Sequence, residues 1–128
     1  MAKLRLTLAV TAAWLPLAAG AVDSTGQQDA LTLFATCTGR LSALMEHQWL
    51  TDGPQSEETA RTRARMIGLL ETVMPPGAGA EVLHRRIEAK MAQAALLGQA
   101  TFATDPRRAA TARRLAALQL AQCERLLL

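Results

Sequence analysis

Apolar side chains recur at intervals of three and four residues along most of the chain, a spacing that places them on one face of an α-helix. Helix-ending clusters of Gly and Pro interrupt this pattern at 51–54 and 75–79, and Thr104-Asp105-Pro106 is typical of a helix start. The pattern predicts helices at about 29–50, 56–74, 80–101 and 105–127. Four amphipathic helices on short connections indicate an all-α fold, an antiparallel four-helix bundle.

Each predicted helix has one apolar stripe, which we expect to face the core. Ser56, followed by acidic residues, is the predicted N-cap of the second helix. The stripes are Phe34, Cys37, Leu41, Leu44 and Met45 on the first helix; Ala60, Ala64, Ile67, Leu70, Val73 and Met74 on the second; Leu83, Ile87, Met91, Ala94 and Leu97 on the third; and Ala112, Ala116, Leu120, Cys123 and Leu127 on the fourth.

The N-terminus has the organisation of a secretory signal peptide. Two cations, Lys3 and Arg5, precede the uncharged stretch 6–19, and small residues end the segment at Ala21. This pattern predicts a signal peptide over 1–21, cleavage after Ala21, a mature helical domain over 22–128 and a periplasmic or secreted location. A retained anchor is the alternative, but a spanning helix needs about 20 apolar residues, and this stretch has 14 and contains a proline.

Two cysteines, Cys37 and Cys123, both lie in the predicted mature domain. In an oxidising compartment such a pair predicts a disulfide, with two buried free thiols as the alternative. Both cysteines lie on apolar stripes, one early in the first helix and one late in the fourth. If these helices are antiparallel neighbours, the two thiols lie at similar heights, so the predicted disulfide agrees with the predicted bundle.

Charge and composition disfavour nucleic-acid binding. Of the net charge of +3, Lys3 and Arg5 account for two, so the mature domain is almost neutral. Aromatic side chains that stack on single-stranded bases are nearly missing, since tyrosine is absent and 3% of residues are aromatic. That composition also predicts a core of Leu, Ala, Met, Val and Ile, which suits packed helices better than a sheet.

Metal binding is the alternative function that the residue types allow. His47 with Met45 or His84 offers the imidazole and thioether ligands that suit copper, or imidazole for zinc. The two histidines are not spaced to share one helix face, so this site requires a tertiary contact between the first and third helices.

Apolar and basic residues at helix ends favour a role in binding another protein. Trp49 and Leu50 end the first helix, and Arg107 and Arg108 open the fourth. No catalytic signature surrounds the serines or histidines, so we expect no enzymatic activity, cofactor or small-molecule substrate. The sequence therefore predicts a small exported bundle with a structural or protein-interaction role, whose partner is another periplasmic or membrane-associated protein.

Overall fold

Four α-helices, joined by short connections, make up almost all of the structure. The computed structural model describes residues 24–128, so the predicted signal peptide and its cleavage site lie outside the described residues. The elements are α1 (Ser24–Thr51), α2 (Gly53–Val73), α3 (Gly79–Phe102) and α4 (Pro106–Glu124), followed by one 3₁₀ turn, Arg125–Leu127. The all-α bundle predicted from the hydrophobic pattern is confirmed. α1 begins five residues earlier than predicted.

The connection between α1 and α2 is one residue long, and its capping differs from the prediction. Asp52, not Ser56, is the N-cap of α2, and its Oδ1 accepts a hydrogen bond from the backbone N–H of Gln55 at 3.3 Å. Pro54 fits the first turn of α2 because the N–H that proline lacks has no partner within a helix there. At α4 the predicted cap is confirmed, since Oδ1 of Asp105 accepts from the N–H of Arg107 at 2.9 Å.

The helices run alternately up and down, and α1 packs most extensively on α2 and α3. The amide of Gln27 donates to the carbonyl of Val73 and Arg63 donates to Ser42, so α1 and α2 are antiparallel. Bonds from Gln93 to Ala116 and from Arg113 to Ala100 make α3 and α4 antiparallel as well. α1 and α3 run parallel to each other in direct contact, since Gln28 bonds Glu81 near the start of both helices and His47 bonds Thr101 near the end of both.

Gly39 permits this close contact between α1 and α3. A Cβ atom at this position would lie well inside van der Waals contact of the Arg86 carbonyl oxygen, and 3.0 Å from both the Ala89 Cβ and the Lys90 backbone nitrogen. Without a side chain at Gly39, the backbones of α1 and α3 approach each other directly. The glycine therefore fixes which face of α3 is buried.

The buried face of α3 is not the predicted one. Val82, Gln93 and Leu97 are buried there, whereas Leu83, Ile87, Met91 and Ala94 are exposed and only Leu97 of the predicted stripe faces the core. The helix is rotated by roughly a third of a turn from the expected orientation. The reason is that the face opposite Gly39 carries the small residue Ala89, which allows a closer approach than the bulky stripe does.

The predicted disulfide is present in the structure and joins α1 to α4. Cys37 and Cys123 are fully buried, and their Cα atoms are 5.4 Å apart. Around them lie Leu41, Met66 and Leu120, which form the largest part of the core. α1 and α4 are antiparallel as expected, but they contact each other much less extensively than α1 contacts α2 and α3.

Candidate interaction surfaces

One end of the bundle gathers the residues that the sequence singled out for protein binding. α1 and α3 end there, at Thr51 and Phe102, and α2 and α4 begin there. His47 near the end of α1 lies within 3.2 Å of the Thr101 hydroxyl, which ties the last turns of α1 and α3 together. The up-down topology thus places Trp49, Leu50, Arg107 and Arg108 at the same end.

Three large apolar side chains at this end are exposed to solvent. Trp49 is 62% exposed, Leu50 is 86% exposed and Phe102 is 74% exposed. We refer to these three residues as the apolar end. Trp49 and Leu50 stand out in the sequence as apolar residues at a predicted helix end, whereas Phe102 was not among the predicted surface residues. The position of Phe102, between the predicted third and fourth helices, could have indicated that it belongs to this surface. Two helices that end side by side also present their last residues side by side.

Two arginines lie beside the apolar end. Arg107 and Arg108, in the first turn of α4, are exposed. Within residues 24–128 neither arginine has a carboxylate within 4.0 Å. The nearby carboxylate of Asp105 is engaged in capping α4. The two guanidinium groups are therefore free to bind acidic groups on another molecule.

The residues of the alternative metal site lie apart. Met45 and His47 are two positions apart on α1 and point in directions that differ by roughly 160°. His47 lies beside Thr101 of α3, which is 17 residues, or about 25 Å, from His84. His84 instead contacts Glu88, one turn along its own helix, at 3.4 Å. The structure brings neither proposed pair together, and no group of three acidic, His or Cys side chains in the described residues is placed to hold a metal ion.

A cavity of about 290 Å³ opens between α2 and the C-terminus, over the α1 residues Leu41 and Leu44. Gln48 of α1 also lines this cavity, and its side-chain carbonyl oxygen is buried with no hydrogen-bond partner among the described residues. Arg65 on the α2 wall donates to the carbonyl of Leu127 at 2.6 Å, which holds the last turn of the chain against α2. The cavity is therefore bounded partly by the chain's own C-terminus.

No helix of the described part of the chain combines the length and the apolar character that crossing a membrane requires. The chain matches no known protein family, no curated protein and no solved structure.

Proposed function

We propose that this protein is a small exported, non-catalytic helical bundle that binds another periplasmic or membrane-associated protein through its apolar end. The observation that carries the proposal is the exposure of Trp49, Leu50 and Phe102 together at one end of the bundle. Large aromatic side chains and arginines are the residue types enriched at the centres of protein interfaces. An exposed apolar group rimmed by polar residues is typical of an interaction surface.

Two features support export. The segment 1–21 has the charge and hydrophobic pattern of a signal peptide. The Cys37–Cys123 disulfide suits an oxidising compartment, because such bonds are rare where glutathione keeps thiols reduced. If the signal peptide is removed after Ala21, the mature chain begins only two residues before α1.

The chemistry of the apolar end defines the partner surface. It is a protein surface with an apolar pocket for Trp49 or Phe102 and carboxylates at its edge for Arg107 and Arg108. The aromatic anchors supply affinity by burial, whereas exposed charges mainly raise the rate of association and its sensitivity to salt.

Export is tested by fractionating cells that make the full chain and sequencing the N-terminus of the purified protein. We expect to find the protein in the periplasm or the medium, with Val22 as its first residue. A cytoplasmic protein that retains Met1 or Ala2 would overturn the export part of the proposal.

Binding is tested by photo-crosslinking in the producing cells, with benzoylphenylalanine placed at Trp49. The control position is Thr72, which is exposed near the opposite end of the bundle. We expect a discrete adduct from position 49 that is absent from position 72 and that weakens when Arg107 and Arg108 are both changed to Glu. Equal adducts from both positions, or none from position 49, would contradict the proposal.

A further inference from the structure

A second candidate surface is the open groove between α2 and α3, which has α1 as its floor. Near the connection between α2 and α3, Leu70 of α2 and Val82 of α3 share a core cluster with Leu31 of α1. Farther from that connection, a cavity of about 200 Å³ opens between Arg63 of α2 and Arg86 of α3. We refer to this feature as the α2–α3 groove.

The α3 wall of this groove leads onto an exposed apolar ridge. Leu83, Ile87 and Met91 are spaced by one helical turn and are 54%, 51% and 65% exposed. We refer to these three residues as the α3 ridge. Its length is about 12 Å. A ridge of side chains at i, i+4 and i+8 is the surface that packs into the groove of another helix.

The groove also contains two arginines that form no salt bridge with any of the described residues. Arg63 is held in place because its Nε donates to the Ser42 hydroxyl at 2.7 Å, and that hydroxyl in turn donates to the Thr38 carbonyl at 2.8 Å. Within the described residues neither Arg63 nor Arg86 has a carboxylate within 4.0 Å. Partial burial and the positive charge of Arg63 together lower the pKa of Arg86. The two like charges therefore repel each other in a partly desolvated place, and an anion bound between them would relieve that repulsion.

The third cation of the groove is already neutralised. Lys90 Nζ lies 2.7 Å from a carboxylate oxygen of Glu46. The positive charge available to a ligand is thus that of Arg63 and Arg86, which line the groove opposite each other next to Ile87 of the ridge.

From this combination we infer that the α2–α3 groove binds an amphipathic helix of a partner protein, with apolar side chains on the α3 ridge and a carboxylate between Arg63 and Arg86. Pockets that enclose small molecules measure about 300–1,000 Å³. The open 200 Å³ groove is too small to enclose such a ligand. A helix laid along the ridge needs no enclosed pocket, because helix recognition uses anchors spaced as the ridge is. Charge complementarity then requires acidic residues beside the partner's apolar stripe.

This surface is separate from the apolar end. Ile87 and Phe102 are 15 residues apart on α3, about 22 Å along the helix axis. The inference goes beyond the proposed function, and the two proposals are independent, because the experiment on one surface can give a negative result while the experiment on the other gives a positive one.

The experiment uses the mature chain with its disulfide intact and two synthetic 15-residue helical peptides. Both peptides carry leucines at i, i+4 and i+8; one has glutamates beside the leucines and the other has glutamines at the same positions. Binding is measured by fluorescence anisotropy at low salt. We expect the glutamate peptide to bind about tenfold more tightly than the glutamine peptide, a ratio typical of one charge-assisted contact.

Variants of the groove identify the residues responsible. Arg63→Gln or Arg86→Gln should remove most of the tenfold preference for the glutamate peptide, and Ile87→Ser should weaken both peptides alike. The matched controls are Arg114→Gln and Leu118→Ser, an exposed arginine and an exposed leucine of α4, which should leave both affinities unchanged. Circular dichroism of each variant checks that it is folded.

Three results would overturn the inference. The first is equal affinity for the two peptides, and the second is an effect of Arg114→Gln as large as that of Arg86→Gln. The third is failure to bind the glutamate peptide. If anionic phosphatidylglycerol vesicles then bind in a manner that requires Arg63 and Arg86, the surface binds membranes. If light scattering instead shows a dimer that Ile87→Ser dissociates, the ridge joins two copies of this chain.

Discussion

Replacing Gly39 by alanine should destabilise the protein, although alanine is the better helix former. The added Cβ would overlap the carbonyl oxygen of Arg86 and crowd Ala89 and the backbone of Lys90. Because two of these three atoms belong to the α3 backbone, a side-chain rotation cannot relieve the overlap. Restoring ordinary carbon contacts of about 3.5–4.0 Å requires α1 and α3 to separate by about 1 Å.

The magnitude follows from two opposing terms. Alanine gains up to about 1 kcal/mol over glycine inside a helix. Overpacking against a rigid neighbour costs about 1–3 kcal/mol and occasionally more, and here the separation also loosens the contacts of Ala43 and Gln93 in the core. We expect the free energy of unfolding to fall by about 2 kcal/mol.

Gly68 provides a matched control for the same substitution. It lies inside α2 and is exposed, and no atom lies within 4 Å of the position that a Cβ would occupy. Gly68→Ala therefore keeps the propensity gain without the overlap, and should raise the free energy of unfolding by about 0.5–1 kcal/mol.

The assay is urea unfolding of the disulfide-bonded mature chain, followed by circular dichroism. With a denaturant slope of about 1–2 kcal/mol/M for a domain of this size, Gly39→Ala should lower the unfolding midpoint by roughly 1–2 M, and Gly68→Ala should raise it. A Gly39→Ala midpoint at or above that of the wild type would refute the close α1–α3 packing.

Three further predictions concern stability. Replacing both Cys37 and Cys123 by alanine should lower the free energy of unfolding, measured by urea unfolding, by about 2–4 kcal/mol, because the disulfide closes a long loop. Reduction of the wild type should raise its intact mass by two hydrogen atoms, and an unchanged mass would exclude the disulfide. Gln93→Met should raise the melting temperature by a few degrees, since the side-chain oxygen of the fully buried Gln93 has no hydrogen-bond partner in the described residues. Gln93→Ala should lower the melting temperature, because it leaves a cavity. A large fall in the melting temperature of Gln93→Met would show that the hydrogen bond from Gln93 to Ala116 outweighs the cost of the unsatisfied oxygen. Asp105→Ala should cost about 1 kcal/mol by uncapping α4, and Asp105→Asn should restore most of it; equal losses in both variants would argue against the cap.

The fold was largely predictable because its signals are local. Gly and Pro clusters end helices whatever their surroundings, and Asp105 followed by Pro106 starts one. The N-cap of α2 was misplaced because Pro54, interpreted as a stop, also fits the first turn of a helix. The disulfide was predictable because only two cysteines exist and both lie on apolar stripes.

The candidate surfaces were only partly predictable. Trp49, Leu50, Arg107 and Arg108 stood out as apolar and basic residues at predicted helix ends, and the structure places them at one end of the bundle. Phe102 could be added to this group only from the tertiary structure, in which α1 and α3 are parallel and end side by side. The proximity of Arg63 and Arg86 in the groove could not be predicted from the sequence, because the two arginines lie on different helices and no sequence spacing indicates that they are close.

The sequence by itself determined that four helices form, where three of them begin and end to within a few residues, and which cysteines pair, because each of these depends on neighbouring residues or on a single available partner. Only the tertiary structure decided which face of α3 is buried. Both faces of α3 carry apolar residues, and hydrophobic periodicity alone selects the bulkier one, Leu83, Ile87 and Met91. The structure buries the smaller face of α3 instead. Gly39 on α1 has no side chain, so this face packs closely against α1 and the bulky ridge stays exposed to solvent.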